Sequence, residues 1–389
     1  MKTLYLKSYS SAGTFLGNIL QFQLDSFTKK INSGLEDMTI TLPRTFDNYN
    51  VDFLVSLGNK IELWISDEDA TMQKIYTGYI EQQKFLIDGS KQTIEIVCLG
   101  IVSKLTMDIL KFSNQTTVYT RNTTGLTSSS GSLSDAELAL IIKALIDYFR
   151  TNSGLNLSYI TDTGDSVATS GKTMTYTFEA MTYSEALKKI TEAAPQDWYW
   201  YIDENEVVYF KGPAATATHN FIIGKHITKL TIEKGIDSVK NIGLVWDGAA
   251  LYNQYKDDLS ISLYGRRVQQ TNDQNIGVAG TIDNFANKFI SENKDARVRV
   301  VVEIADNNES GDGYDIESIQ PGDTCKITGI AASDILTDNM IIKEVNWTPG
   351  KATLTIETRS IFDINRFLVD LARKVEQQTS SGIPIAYTP

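Results

Sequence analysis

The runs GNKIEL (58–63), YTGYI (76–80) and QTIEI (92–96) return late in the chain as GDTCKI (322–327), NMII (339–342) and ATLTIE (352–357). In each copy a glycine turn opens a strand of alternating polarity, a second strand follows a polar loop, and a third follows a tight turn. This echo predicts two similar small β-barrels in one chain. The alternative is that two unrelated antiparallel meanders share one pattern.

A duplicated barrel has a consequence for assembly. Three copies of such a chain would place six similar barrels around one axis. A three-subunit ring of this kind could then seat on a six-subunit ring.

Length and composition predict a β-rich α+β protein of several domains. The chain has 389 residues, which exceeds the roughly 250–300 residues at which a single core stops growing, so two or three domains are expected. Hydrophobic residues make up 42% of the sequence, and many of its 18 Tyr and 15 Phe fall in strand-like runs. A chain with this many apolar and aromatic residues is expected to form folded domains instead of remaining disordered.

The charge balance argues against nucleic-acid binding. The chain carries 36 basic and 48 acidic residues, a net charge of −12, and no basic stripe with interleaved aromatics offsets this excess. An acidic surface repels phosphates, so it would suit a channel through which DNA slides without sticking. Three copies would carry 3 × −12, or −36, and we expect acidic or neutral side chains on the wall of such a channel.

Helical patterns interrupt the strands in the middle of the chain. A capping box at Ser134–Glu137 precedes helical spacing to Arg150, and a second box at Thr182–Glu185 precedes a helix that Pro195 stops. Trp198–Ile202 and Val207–Phe210 then read as a β-hairpin. A third helix is expected around Ile282–Ile290 and a strand at Arg297–Ile304.

The end of the chain forms a separate segment. Asp363 can cap a helix whose apolar face includes Val375 and the four residues that we treat as a possible assembly contact, Ile364, Phe367, Leu368 and Leu371. This face must be buried against another surface. Its position favours an intersubunit or spike-facing contact, although docking on its own barrel is an open alternative.

Catalytic chemistry has little support in the sequence. The two histidines, His219 and His226, lack Cys, Asp or Glu at metal-ligand spacing, and the two cysteines, Cys98 and Cys325, fall in predicted strands as buried thiols. We therefore expect no enzyme, no cofactor and no metal. Carboxylate-pair glycosidase chemistry stays open, because it needs only Asp and Glu.

Two further patterns have a functional and a structural interpretation. Trp198, Tyr199, Trp200 and Tyr201 fit either a sugar-binding platform or a hairpin packed on the helix from Thr182. An acidic loop fits either a solvated turn or a calcium register, whose places are taken by Asp306, Asn308, Ser310, Gly311, Asp312 and Glu317.

The chain resembles phage tail and baseplate hub proteins, which include the trimeric hub of contractile tails and the N-terminal part of the tail-associated proteins of long flexible tails. The resemblance is carried by YTGYI (76–80) with the strand to Gly100, by FEAMTYSEAL (178–187) leading to the aromatic hairpin, and by IQPGD (319–323) before the last meander. The resemblance spans about residues 54–359, and it lies in the pattern of strands, turns and helices along the chain.

The resemblance implies two tube-type β-barrels around a channel, with an inserted α/β domain outside them. It assigns the first barrel to 1–115, the inserted α/β domain to 116–221, the second barrel to 222–250 and 316–362, and a peripheral insertion to 251–315. The apolar pattern after Asp363 adds a C-terminal helix and tail at 363–389.

The function expected from this resemblance is structural. The chain would be a trimeric baseplate or tail-tip hub that joins the hexameric tail tube, or a distal tail protein, to a central spike or fibre, with DNA passing through unbound. It would be made in the host cytoplasm and reside in the virion tail. The alternative is a host-surface carbohydrate-binding tail protein, an adhesin.

The N-terminus lacks an apolar signal core, and no run approaches about 18 apolar residues, so no membrane span is expected.

Overall fold

A computed structural model describes residues 2–46, 49–66, 72–89, 91–108, 119–122, 125–128, 136–161, 164–176, 178, 181–248, 252–274, 276, 279–306, 314–329 and 340–357. The described residues form a β-rich α+β fold. Its strands, in chain order, are β1 (Thr3–Tyr9), β2 (Phe15–Ile19), β3 (Gln23–Lys30), β4 (Leu35–Pro43), β5 (Thr45–Phe46), β6 (Tyr49–Asn50), β7 (Lys60–Ser66), β8 (Met72–Asp88), β9 (Lys91–Leu99), β10 (Tyr119–Asn122), β11 (Gly125–Ser128), β12 (Ala136–Glu137), β13 (Thr173–Met174), β14 (Tyr199–Ile202), β15 (Val208–Lys211), β16 (His219–Ile222), β17 (Ile227–Gly235), β18 (Ile242–Trp246), β19 (Tyr252–Lys256), β20 (Val268–Asn272), β21 (Arg297–Ala305), β22 (Thr324–Thr328), β23 (Met340–Thr348) and β24 (Lys351–Glu357).

The described helices are few, and a short 3-10 turn at Ile316–Ser318 accompanies them. They are α1 (Val102–Met107), α2 (Leu138–Ser153), α3 (Tyr183–Ala193), α4 (Asp258–Tyr264) and α5 (Ala279–Asn293).

The N-termini of α2 and α3 can be compared with the two capping boxes that the sequence predicts. At α3 the predicted box is confirmed, because the Glu185 amide donates to Thr182 Oγ1 and the Glu185 carboxylate accepts from the Thr182 amide. At α2 the start differs. Glu137 is the N-cap and accepts from the Ala139 amide, so the helix begins later than a cap at Ser134 would place it, and Ser134 itself lies outside the described residues.

One thirteen-stranded, largely antiparallel sheet contains most of the long strands. It has two parts. The N-terminal half-sheet runs β2-β1-β7-β8-β9-β4-β3, and the C-terminal half-sheet runs β16-β22-β23-β24-β21-β17. The two parts join where β3 pairs with β23.

The strand order predicted from the repeated runs is confirmed, and the two half-sheets also agree in register. The Gly58 amide donates to the Ile80 carbonyl and the Ile80 amide donates to the Asn59 carbonyl. In the same way, Gly322 donates to Ile342, and Ile342 donates to Asp323. Both glycines have positive φ, 81° and 86°, which glycine adopts most readily.

A β-bulge lies at the same place in both half-sheets. In the first, Tyr79 and Ile80 pair with Leu99 and Cys98, and the register then shifts before Gln82. In the second, Ile341 and Ile342 pair with Glu357 and Ile356, and the register shifts before Glu344. Since a bulge bends its strand and increases the local twist, β8 and β23 turn at equivalent points.

The two half-sheets also correspond in their next pair of strands, but they differ at their outer edges. β9 pairs with β4 as β24 pairs with β21, so that Met38 opposite Cys98 corresponds to Val300 opposite Ile356. At the outer edge the half-sheets differ. There β1 runs antiparallel to β7, whereas β16 runs parallel to β22.

Alternating side chains from both half-sheets form one continuous core. In β9 and β24 every second residue is fully buried, as Ile94, Ile96 and Cys98 and as Ala352, Leu354 and Ile356. Period-2 alternation places these residues on one face and leaves the intervening ones on the other.

A second core belongs to an α/β unit built from two separate stretches of the chain. Helices α2 and α3 and the hairpin β14–β15 come from the first stretch, while β18, β19, β20 and α5 come from the second. We call this the inserted unit. Its core also includes Tyr79, Ile101 and Leu105 from the N-terminal half-sheet side.

This arrangement differs from the predicted boundaries at two elements. β18 lies within the predicted barrel segment 222–250, yet it pairs with β19 and β20 in the inserted unit. β21 lies within the predicted insertion 251–315, yet it pairs with β17 and β24 in the large sheet. β21 is far in sequence from both of its partners, so local patterns do not reveal its pairing, whereas β18 pairs with its near neighbour β19 across the predicted boundary at 250.

The paired glycines generate a prediction. Both Gly58→Ala and Gly322→Ala impose positive φ on a residue with a Cβ, which should destabilise each turn by about 1 kcal/mol. At Gly322 the added Cβ would also overlap the ring of Tyr199, whereas at Gly58 nothing lies within 4 Å of it. We therefore expect Gly322→Ala to lower stability by about 1–3 kcal/mol more than Gly58→Ala. Thermal unfolding of the two variants measures this difference, and equal melting temperatures would contradict it.

Candidate functional site

The two cysteines are unsuited to catalysis. Both are free and fully buried, and burial raises the pKa of each thiol well above its ordinary value. A reactive cysteine needs the opposite shift, toward the thiolate. Among the described residues, no group of three or more His, Cys, Asp and Glu side chains is placed to hold a metal ion.

Both histidines pack around one tyrosine in the C-terminal half-sheet. His219 Nε2 lies 3.0 Å from Asp323 Oδ2, and His219 Nδ1 is hydrogen-bonded to the Tyr314 hydroxyl. The His226 ring meets the Tyr314 ring edge-on, with centroids 5.2 Å apart. Both histidines are buried, which agrees with packing side chains.

The acidic loop binds a lysine at its two described ends. The ammonium of Lys2 lies 2.8 Å from Asp306 Oδ2 and 2.5 Å from Glu317 Oε2, so the first and last places of the predicted calcium register hold an internal cation. The register's other positions, Asn308, Ser310, Gly311 and Asp312, lie outside the described residues.

The pKa values of Lys2 and Glu317 are both shifted in this cluster. Burial disfavours the charged form of Lys2, but its hydrogen bonds with Asp306 and Glu317 outweigh this effect and raise its pKa. Burial raises the pKa of Glu317 to about 7, and a hydrogen bond with Asp315 adds to the shift while Lys2 opposes it. Glu317 therefore exchanges its proton near neutral pH.

The aromatic hairpin is packed on both faces. Tyr199, Trp200 and Tyr201 are all buried, with Trp200 in the core of the inserted unit and the two tyrosines against Ile31. The predicted packing on the helix from Thr182 is thus confirmed for Trp200, whereas the two tyrosines pack on Ile31 instead of that helix. These three residues provide no exposed face on which a sugar ring could stack.

Polar contacts of the hairpin fix the inserted unit to the sheet. The Tyr199 hydroxyl donates to the Gly322 carbonyl at 2.7 Å, and the Asn32 amide donates to the Trp200 carbonyl at 2.6 Å. Like Asn32, Tyr79 belongs to the N-terminal half-sheet, and its hydroxyl donates to Glu206 Oε1 at 2.7 Å. One hairpin therefore contacts both half-sheets.

A cleft of about 870 Å³ separates the sheet from the inserted unit. Its lining mixes charges of both signs, including Lys30, Lys343 and Glu357 from the sheet and Lys188 and Glu192 from α3. This mixture is unlike the mostly apolar lining with a few convergent polar groups that marks a small-molecule site.

Buried Lys288 has a structural task beside this cleft. Its ammonium donates to the carbonyls of Thr191, at 2.6 Å, and Trp198, at 3.1 Å. Burial lowers the pKa of Lys288, while Glu292 opposes this shift. Thr191 lies in the last turn of α3, and its carbonyl also accepts from the Ala194 amide, so Lys288 adds a second donor at the end of this helix.

Several strands of the large sheet pair on one side only within the described residues, and two of these open edges lie in β8 and β17. Within the described residues, β8 pairs only with β9 from Gln82 onward, and β17 pairs only with β21 from Leu230 onward. The open part of β8 carries three consecutive exposed apolar residues, Phe85 (47%), Leu86 (38%) and Ile87 (67%). An open edge with apolar side chains is a pairing site for another chain. The sequence analysis missed these residues, although the run FLI at 85–87 was a visible signal.

The solvent face of the large sheet is rich in threonine. The threonines that alternate with core residues on its strands are Thr28, Thr39, Thr41, Thr93, Thr231, Thr348, Thr353 and Thr355. Charges on this face occur as opposite-sign neighbours, such as Lys84 with Glu95 at 3.6 Å and Arg299 with Glu233 at 3.7 Å. The described part of this face is therefore close to neutral.

The predicted C-terminal contact residues, Ile364, Phe367, Leu368 and Leu371, lie outside the described residues. In the part of the chain that is described, no helix is both long and apolar enough to cross a membrane.

Comparison with known proteins identifies the fold. No family model and no curated protein matches the sequence. The structure is similar to a tail protein from Neisseria meningitidis MC58, with a TM-score of 0.59 and 10% identity over 93% of this chain and 98% of that one. It is also similar to the 43 kDa tail protein of prophage MuSo2 from Shewanella oneidensis, with a TM-score of 0.57 and 13% identity over 92% and 98% of the two chains.

A third similar structure is the prophage tail protein gp18 from Listeria monocytogenes EGD-e, with a TM-score of 0.53 and 11% identity over 95% of this chain and 99% of that one. These likenesses cover almost the whole of each chain. The resemblance drawn from the sequence is thus confirmed at the level of the fold, which is that of phage tail proteins.

The raised pKa of Glu317 generates a prediction about pH. Because the folded-state pKa of about 7 exceeds the ordinary 4.5, the folded protein binds this proton more tightly than the unfolded chain. The resulting stabilisation is complete below about pH 4.5 and is lost as the pH rises through about 7. Glu317→Gln stays neutral at every pH, so its melting temperature should fall less than that of the wild type between about pH 5 and pH 8. The difference corresponds to on the order of 1–3 kcal/mol.

Thermal unfolding of both proteins at constant ionic strength tests this prediction. Glu303→Gln serves as the control, because it removes a partly exposed carboxylate from the neighbouring strand β21. Parallel pH profiles of the wild type and Glu317→Gln would contradict the assignment.

Proposed function

We propose that the chain is a structural protein of a phage tail, a homotrimeric baseplate or tail-tip hub that joins the hexameric tail tube to a central spike or fibre around a DNA channel. The observation that carries the proposal is the shared register of the two half-sheets, from the glycine turns to the bulges. Two equivalent units in each chain let three copies present six similar units to a six-fold partner. The fold likeness to tail proteins over nearly the full length supports the same role.

In this proposal each half-sheet, together with the core side chains that it carries, closes into a tube-type β-barrel. The inserted unit lies outside both barrels. The contacts of the inserted unit support this placement. They involve Tyr79 and Thr77 on β8 and Gly322 before β22, whereas the threonine-rich face is made by other strands or other parts of those strands. That face remains available to line a channel.

A threonine-rich, charge-balanced face suits the passage of DNA. Short hydroxyl side chains give a phosphate backbone no fixed cation to bind, and the lysines on this face already have carboxylate neighbours. DNA would then pass without specific binding, and neither a cofactor nor catalysis by the chain is part of the proposal. The chain would be made in the host cytoplasm and reside in the virion tail, with the tail tube or a distal tail protein as its partner.

The alternative, an adhesin that binds surface carbohydrate, loses its main candidate among the described residues. Of the four aromatic side chains on which a sugar would stack, Tyr199, Trp200 and Tyr201 are buried, and Trp198 is half-buried against the Phe210 ring. An adhesin would need another aromatic surface.

The size of the assembly tests the proposed function directly. Native mass spectrometry of the purified chain should give three times 43.3 kDa, or about 130 kDa, and electron microscopy of the same sample should show rings. A stable monomer that binds glycans would support the adhesin and overturn the hub.

The C-terminal segment yields a second test of assembly. We propose that the apolar face of its predicted helix, Ile364, Phe367, Leu368 and Leu371, contacts a neighbouring copy or the spike. Replacing both Phe367 and Leu371 by Asp would place charges in that contact, so it should weaken assembly at least tenfold while the melting temperature of the free chain changes little. A variant that unfolds as a monomer, or that assembles and binds its partner normally, would show that the segment has no such role.

A further inference from the structure

The join between the two half-sheets shows how two of these units fit together. β3 and β23 pair antiparallel, with Phe27 opposite Trp347, Thr28 opposite Asn346 and Lys30 opposite Glu344. On the core side the Phe27 and Trp347 rings stack with centroids 5.1 Å apart. On the solvent side Asn346 Nδ2 donates to Thr28 Oγ1 at 3.1 Å. We call this pairing the internal seam.

Each strand of the internal seam has an equivalent in the other half-sheet. β8 corresponds to β23, because each bonds the glycine turn of the preceding strand, through Ile80 and Ile342, and bulges just after that residue. Gln82–Phe85 therefore corresponds to Glu344–Trp347. β17 corresponds to β3, because Ile232 opposite Val300 matches Phe27 opposite Met38. Ile232–Gly235 therefore corresponds to Phe27–Lys30.

These two equivalent segments are the open edges described above. Phe85 occupies the place of Trp347, yet Phe85 is 47% exposed and Trp347 only 3%. The difference arises because Trp347 has Phe27 stacked on it, while Phe85 has no strand on that side within the described residues. The edges of β8 and β17 thus match the two sides of the internal seam. Within the described residues of one molecule these two edges do not pair with each other.

Applying the register of the internal seam to these edges gives complementary pairs. Ile232 falls opposite Phe85 on the core side, and Glu233 falls opposite Lys84 on the solvent side. Glu233 is already the cross-strand partner of Arg299, and Lys84 that of Glu95. The joined strands β21, β17, β8 and β9 would then carry a row of alternating charge in the order Arg299, Glu233, Lys84 and Glu95.

We propose that neighbouring copies of the chain are joined by antiparallel pairing of Ile232–Gly235 in β17 with Gln82–Phe85 in β8 of the next copy. The contact uses different surfaces on the two partners, so it is head-to-tail and forms a ring if the rotation closes. Backbone hydrogen bonds would make the sheet continuous from copy to copy, as when an extended segment adds to a sheet edge. The closure after three copies rests on the proposed hub function, whereas the pairing itself rests on the register.

Disulfide trapping tests the pairing. In the variant with Lys84→Cys and Glu233→Cys the two Cα atoms would lie about 4.5–5.5 Å apart across the seam, which a disulfide can span. The native Cys98 and Cys325 are fully buried and should not compete. After mild oxidation with oxidised glutathione, a non-reducing denaturing gel should show covalent dimers and trimers at tenfold or more the level of either single variant.

Two matched controls fix the register. Lys84→Cys with Lys229→Cys moves the second thiol four residues along β17, about 13 Å away, so it should give no covalent oligomer above the single variants. Thr28→Cys with Asn346→Cys places a disulfide in the internal seam, and it should form within one chain without raising the mass.

Charge reversal provides an independent readout. Lys84→Glu should weaken the trimer at least tenfold in its dissociation constant, and adding Glu233→Lys should restore it. The pairing is overturned if the chain is a trimer by mass but Lys84→Cys with Glu233→Cys gives no cross-link, or cross-links no better than the Lys229 control. In that case the hub function stands, whereas a chain that is monomeric by mass and forms no cross-link overturns both.

Discussion

The backbone pairing of β3 with β23 is the contact on which the rest of the structure depends. It joins two half-sheets whose strands come from opposite ends of the chain, and it places Phe27 on Trp347 within one continuous core. Without this pairing, each half-sheet would expose an edge strand and an aromatic side chain. Such edges are a liability in a soluble protein. The chain therefore needs both ends before either half-sheet is complete.

The inserted unit depends on the same contact. Asn32 lies two residues after the end of β3 and donates its backbone amide to the Trp200 carbonyl of the hairpin. Gly322 lies against the ring of Tyr199, just before β22. The hairpin therefore contacts one residue of each half-sheet, and both of these residues lie close to the internal seam. Because its aromatic side chains are buried on both faces, it fixes the orientation of the inserted unit and leaves no aromatic platform free.

The sequence predicts local elements well and long-range pairings poorly. The meanders from Gly58 and Gly322, the capping box at Thr182 and the aromatic hairpin are visible because their residues are neighbours along the chain. β21 escaped assignment to the large sheet because its partner β17 lies on the other side of a long excursion into the inserted unit. The open edges escaped for a related reason. Whether Phe85 is covered depends on a strand that no local pattern near residue 85 can indicate.

The net charge of −12 on each chain opposes the assembly of several copies. At physiological ionic strength the Debye length is about 8 Å, so charges spread over distant surfaces are largely screened and those at the contact decide the outcome. The described edges carry opposite charges at the decisive position, since Lys84 is on β8 and Glu233 is on β17. Each of them also has an opposite charge on its other side. Local complementarity at the contact can therefore prevail over the screened repulsion between the two net charges.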